Sequence, residues 1–361
     1  MSTTSLRVVV ARAAGGHYRW GRGTLLLGGL SIALVAACII AAGFGQYDVS
    51  PAQVVDIVLH HLGLTSGSIS DPFADGAVWD IRFPRIVLAA LVGAALATAG
   101  ALLQGAFGNP LAEPGVVGVS SGAALTAGIA IVGGLSFAGI WTLAIFAFAG
   151  GLITALVVYA LSRDGGRTEV VTLVLTGIAV NAVTNAGLSL LLFLGDQNAR
   201  DQIVFWTLGS LNGTMWAYVG VVAPLVLGGL CVAFALARRL DVLSLGDRAA
   251  QHVGIDVEKL RLATIMVVAT LTAAAVAFCG IIAFVGLIVP HLIRMVSGPG
   301  HRLLIPASAL GGAVLLVIAD TLARTAVNYA ELPIGLLTSV TGGPVFFWLL
   351  RRARRTAGGW A

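Results

Sequence analysis

The chain has 361 residues, 58% of them hydrophobic and only 10% charged, with a mean hydropathy of +0.97. An ordinary soluble domain carries about 25% charged residues, so most of this surface must face lipid and a soluble globular class is excluded. The formal net charge of +5 sets up no case for nucleic acid, because arginine-rich loops on one side of a membrane produce the same excess.

Residues 1–23 read as a cytoplasmic N-terminal tail carrying Arg7, Arg12, Arg19 and Arg22, followed by an apolar run over 24–43. "LVAAC", ending at Cys38, resembles a lipoprotein cleavage site, but further apolar spans follow, so the run is read as a retained first anchor. Cys38, Cys231 and Cys279 all lie in apolar runs with no CxxC or Cys/His pattern. They suggest neither a disulfide framework nor a metal site.

About twenty apolar residues cross a bilayer as a helix. By that measure the spans are 24–43, 84–105, 114–134, 139–161, 170–194, 216–237, 261–279, 281–297, 303–323 and 335–351, with a cytoplasmic tail at 353–361. The fold class expected is therefore an all-α polytopic membrane protein of about ten transmembrane helices. An even number of spans places both termini on one side. With that side cytoplasmic, all but four of the 21 Lys and Arg residues fall inside, leaving Arg82, Arg85, Arg200 and Arg324 outside. This is the positive-inside distribution, and moving the count by one span destroys it.

Two loops exceed simple turns. The outer one, 44–83, opens with "SPAQVVDIVLHHL", an amphipathic helix with Ser50 as N-cap and Pro51 at the first helical position, and then turns acidic through Asp71, Asp75 and Asp80. The inner one, 238–262, mixes charge with short apolar pairs and has two helix breaks, Gly246 and Gly254. Short helices lying on the cytoplasmic face are expected there.

The stretch "NPLAEPGVVGVSSGAA" at 109–124 interrupts its helix at Asn109-Pro110 and again at Pro114-Gly115, with Glu113 between. A second stretch, "ELPIGLLTSVTGGPVF" at 331–346, offers Ser339, Thr341 and a break at Gly342-Gly343-Pro344. Non-helical backbone at membrane depth is tolerated only where protein buries it or a wet cavity adjoins it. Paired interruptions of opposite direction also occur in inverted-repeat transporters. Small residues such as Gly93, Ala97 and Ala101 read as close helix packing. Polar groups inside the spans are few: Gln104, Asn181, Asn185, Asp320, Arg324, and His291 with Arg294. They assemble no catalytic constellation and no P-loop. Apart from Asp320, the buried carboxylates of a proton-coupled carrier are lacking, so energy is expected from a partner.

"WDIRFPRIVLAALVGAALATAGALLQGAFGNPLAEPGVVGVSSGAA", "FWTLGSL", "LSLGDRAAQHVGI", "GIIAFVGLIVPHLIRMVSGPGHR" and "ADTLARTAVNYAELPIGLLTSVTGGPVFFWLLRR" resemble, in family order over about 24–352, FecCD-type permeases. These are the membrane subunits of type II ABC importers for vitamin B12, ferric siderophores and haem. The resemblance implies a permease domain at 24–352 in a bacterial cytoplasmic (inner) membrane, paired with a second permease subunit, as a homodimer or a heterodimer, around a central pathway. It implies two cytoplasmic ATPase subunits that carry ATP and Mg, a solute-binding protein on the outer face, and no cofactor or enzymatic activity in this chain. The loop at 238–262 matches the ATPase-coupling segment, with Leu245, Gly246, Ala250 and Gly254 in its motif. Arg82, Arg85 and Arg324 match arginines that pair with glutamates of the binding protein. Arg200, Ser339 and Thr341 are assigned to the substrate pathway. The motifs lean towards haem or a ferric siderophore, with vitamin B12, or a self-contained secondary carrier, as alternatives.

Overall fold

The computed structural model describes residues 3–356 apart from 46, 66–70, 165–166 and 328–329. The arginine side chains of residues 3–20 and of 352–355, counted above as cytoplasmic, and the tail from 357 lie outside the described portion. The helices are α1 (Thr3–Gly43), α2 (Pro51–His61), α3 (Pro72–Asp75), α4 (Phe83–Phe107), α5 (Val119–Val132), α6 (Thr142–Leu161) and α7 (Val170–Leu194). They continue as α8 (Gln197–Leu208), α9 (Trp216–Leu243), α10 (Asp247–His252), α11 (Val257–Cys279), α12 (Val285–Ser297), α13 (His301–Thr325) and α14 (Ile334–Thr356). The one β ribbon among the described residues lies between α6 and α7, pairing Arg163 with Thr168 and Asp164 with Arg167, and an isolated bridge joins Val327 to Ala330.

Among the described residues, seven helices are long and apolar enough to span a bilayer, and three shorter apolar helices are Val119–Val132, Val285–Ser297 and Ile334–Leu349. Together they occupy the ten spans read from hydropathy. The outer helix also forms as its sequence dictates. Ser50 Oγ accepts from Gln53 N–H while the Gln53 side chain accepts from Ser50 N–H, a reciprocal cap with Pro51 behind it.

α4 is the central post. It is buried along nearly its whole length and packs against α13, α9, α11 and α12. Small residues permit this, because a Cβ on Gly93 would lie 2.1 Å from the Gly312 carbonyl oxygen and one on Gly100 would lie 1.7 Å from that of Gly286. The backbones are in contact, as the Gly93/Ala97 spacing predicts. α4 stops at Gly108, which adopts a left-handed φ of 59°. A 3-10 turn at Pro114–Val117 and a second left-handed glycine, Gly118, precede α5. The first predicted interruption is therefore real, and it shortens the span expected at 114–134.

The second predicted interruption is not. α14 runs through Gly342-Gly343-Pro344 without a break. A proline removes one N–H, a loss a membrane helix accommodates through its neighbours. Gly342 serves approach rather than interruption, since a Cβ there would lie 2.6 Å from Phe284 Cβ. The unwound counterpart sits elsewhere. Residues 280–284 are non-helical between α11 and α12, and Phe284 is the one non-glycine residue with positive φ, 68°, among those described.

Candidate functional site

Three places in this framework carry polar chemistry. The first lies at the end of the bundle where α1 finishes and α4 begins. The final carbonyls of α1 have no partner of their own within the helix. Arg82 donates through Nη1 to Ala42 O at 2.7 Å and Gly43 O at 3.3 Å, and through Nη2 to Tyr47 O; Arg324 donates to Ala41 O. Cations supplied by other elements thus cap the negative end of the α1 dipole. Arg85 donates through Nε to Asp320 at 2.8 and 3.1 Å and through Nη1 to both Glu331 oxygens at 3.0 Å. Arg324 Nε lies 3.8 Å from Asp320 Oδ2.

Arg82, Arg85 and Arg324 are 4, 5 and 7% exposed. The sequence resemblance pairs them with glutamates of a binding protein; within this chain they are buried. All three are engaged within the chain, because a charge taken from water at this depth needs immediate compensation. The same contacts answer the reservation about Asp320, whose carboxylate is held by Arg85.

The second place is the unwound centre. Glu113, lying between its two prolines, accepts the Phe284 N–H at 3.1 Å through Oε1. A carboxylate therefore meets the N-terminal end of α12, where the helix dipole favours it. Gln104 Nε2 donates to Gly286 O at 3.4 Å and Leu287 O at 3.3 Å. Asn181 donates to Gly115 O at 3.1 Å and accepts from Ser121 at 2.5 Å, tying α7 to the 3-10 turn. Phe284 is thus where the two singled-out stretches meet, Glu113 from one and Gly342 from the other. Sequence reasoning noticed Glu113 but had no signal for its partner.

The predicted pathway residues are not gathered into one pocket of the single chain. Thr341 is exposed on α14 and donates to Leu337 O at 2.8 Å, while Ser339 beside it is half-buried. α14 begins against the end of α8, where Ile334 donates to Gly209 O at 2.9 Å. Arg200, exposed near the start of α8, lies about 12 Å away along that helix at 1.5 Å per residue. Next to α8 is a groove of about 590 Å³ whose lining includes Asn198, Gln202, Phe205, Trp206, Asn212 and Phe278. α7 continues the polar exposed surface with Asn185 and Ser189. The outer face of α1 instead presents Leu25, Ile32, Val35 and Ile39, as a lipid-facing helix must.

The third place is the elbow between α9 and α11. Gly246 and Gly254 have φ of 107° and 82°, and they bound α10 as expected. Five hydrogen bonds hold the elbow. Arg261 donates to both Asp247 oxygens at 3.0 and 2.9 Å and to Thr168 O at 3.0 Å, and Glu258 accepts from Thr168 N at 3.0 Å and Thr168 Oγ1 at 2.8 Å. The Asp256 carboxyl is held below the usual range by the Lys259 backbone N–H that it caps. Ala250 is fully buried beneath the elbow, whereas Leu245 and Val253 are 74% and 67% exposed. The elbow is thus a hydrogen-bonded polar segment that leaves two apolar side chains in the open. The Thr168–Glu258 tie had no sequence signal, since its residues are far apart in the chain.

The FecCD transport family matches residues 33–352. The chain belongs to this family. Among the similar permeases, the hemin transport system permease protein HmuU of Yersinia pestis is 41% identical over 342 residues, covering 93% of this chain and 98% of that one. The cobalamin import system permease protein BtuC of Halobacterium salinarum is 45% identical, covering 76% and 73%. The Fe(3+)-citrate import system permease protein YfmE of Bacillus subtilis is 39% identical, covering 89% and 93%. A solved metal-chelate type ABC transporter in an inward-facing conformation shares the fold at a TM-score of 0.79 and 33% identity, over 90% of this chain and 98% of that one. This FecCD chain is therefore a membrane permease of the ABC importer class that serves haem, vitamin B12 and ferric chelates, and its part is transport rather than catalysis.

Proposed function

We propose that this chain passes an iron complex, haem ahead of a ferric siderophore, across the bacterial inner membrane, with both termini cytoplasmic. Two copies form the pathway along α7, α8 and α14, where Asn185, Ser189, Ser339 and Thr341 supply polar groups on a surface a second copy would cover. Separate ATPase subunits, holding ATP and Mg, dock at the elbow, and a solute-binding protein docks at the end built by the arginine network. Because Arg82, Arg85 and Arg324 are occupied internally, they scaffold that outer surface and the exposed Arg200 is the cation left to meet a substrate carboxylate.

The observation that carries the partner-driven reading is the elbow, a rigid segment with Leu245 and Val253 turned outward. The likeness to HmuU across nearly its whole length supports haem. The aromatic and amide lining beside α8 suits a flat macrocycle with polar edges.

Uptake by the reconstituted transporter, given labelled haem, vitamin B12 and ferric siderophores in turn, tests the substrate. Haem is expected to accumulate in an ATP-dependent manner, and uptake driven by an ion gradient without the ATPase would defeat the reading. Gly246→Leu tests the elbow. A side chain cannot adopt φ of 107° without strain, so the elbow should shift. ATP hydrolysis is then expected to persist while uptake falls at least tenfold; normal uptake per ATP would remove the elbow from coupling.

A further inference from the structure

At the end of the bundle opposite the arginine network, a groove of about 1160 Å³ opens between α1 and the turn joining α12 to α13. It is larger than the roughly 300–1,000 Å³ usual for small-molecule pockets. Two cations from separate elements flank it, Arg22 of α1 and Arg302 at the start of α13, and Arg302 is exposed with no ion pair among the described residues. The remaining wall is apolar, through Leu25, Leu26, Met295, Val296 and Leu303. Leu25 and Val296 are 76% and 73% exposed, so this wall opens towards the bilayer. The one carboxylate lining the groove, Asp241, is engaged: its Oδ1 accepts from His301 N at 2.6 Å and lies 2.8 Å from His301 Nδ1.

We propose that this groove is a binding site for an anionic phospholipid, whose phosphate lies between Arg22 and Arg302 and whose acyl chains cover Leu25, Met295 and Val296. Charge complementarity selects the anion, and the exposed apolar wall selects a lipid over a soluble anion, which would leave that wall bare. Basic pockets between membrane helices bind anionic headgroups in this way, each arginine contributing a factor of about five. The site fixes α1 against α13, where a Cβ on Gly23 would lie 3.2 Å from Leu303 Cδ2.

The test uses the full chain in detergent, with native mass spectrometry and thermal unfolding. Phosphatidylglycerol, phosphatidylcholine of the same chains, and inorganic phosphate are added separately. Phosphatidylglycerol is expected to bind and raise Tm, while the other two do not. The Arg22→Gln/Arg302→Gln variant should bind phosphatidylglycerol about 25-fold more weakly, and Arg163→Gln, at the same end but outside the groove, should bind it normally. Should the double variant fold poorly, Arg302→Gln alone, removing an exposed side chain with no ion pair, is expected to lose about fivefold. Equal binding of the two lipids, an equal effect of inorganic phosphate, or undiminished binding by the variants would each overturn the proposal.

Discussion

Asp320→Ala is expected to unfold the end of the bundle where α1, α4 and α13 meet. It removes the carboxylate that Arg85 engages at 2.8 and 3.1 Å and that lies beside Arg324, leaving two cations with under 8% exposure and reduced compensation. Removing one member of a buried ion pair costs about 3–5 kcal/mol, most of it from the charge left behind. Glu331 would retain part of Arg85, so the lower half of that range applies. Thermal unfolding of the detergent-solubilised chain should show the loss. Asp320→Asn, which keeps an acceptor, should lie between the alanine variant and wild type, and Arg85→Ala/Asp320→Ala should be less damaged than the two single changes summed. An unchanged Tm for Asp320→Ala would mean that the network contributes nothing.

Gly100→Val should be as damaging through packing alone. Its Cβ would sit 1.7 Å from the Gly286 carbonyl oxygen, with the carbonyl carbon at 2.5 Å and Cα at 2.7 Å. No rotamer change relieves a clash with backbone, so α4 and α12 must separate. Gln104 would then lose its hydrogen bonds to Gly286 and Leu287. Overpacking usually costs about 1–3 kcal/mol, with backbone clashes at or beyond the top of that range. Gly28→Val is the control, because nothing lies within 4 Å of a Cβ at Gly28, and surface changes of that kind stay within about 0.5 kcal/mol. The yield of monodisperse chain and its Tm separate the two. Equal behaviour would show that the glycine contact is dispensable.

Much of the architecture was legible. The apolar runs became helices because a backbone in lipid must satisfy its own N–H and C=O groups, and the Ser50 cap, the Gly108–Gly118 interruption and the Gly246 and Gly254 breaks are encoded within a few residues of where they act. The arginines were found by position, and their partners within the chain were not. Their sparseness on one side marked Arg82, Arg85 and Arg324, but only packing disclosed that they turn inward. Gly342-Gly343-Pro344 misled for a related reason, since the same glycine that can break a helix also lets Phe284 approach it.

What the sequence determined by itself was the number of spans, the uneven distribution of charge and the places where the chain turns. Each of these is set by hydropathy or by the φ preferences of single residues, quantities that belong to a short window of chain. What tertiary structure alone decided was the pairing: Arg85 with Asp320 across 235 positions, and Glu113 with the Phe284 backbone across 171. Such contacts depend on which helices lie side by side and at what rotation. That is fixed by the summed fit of many small side chains along α4, and no local pattern records it.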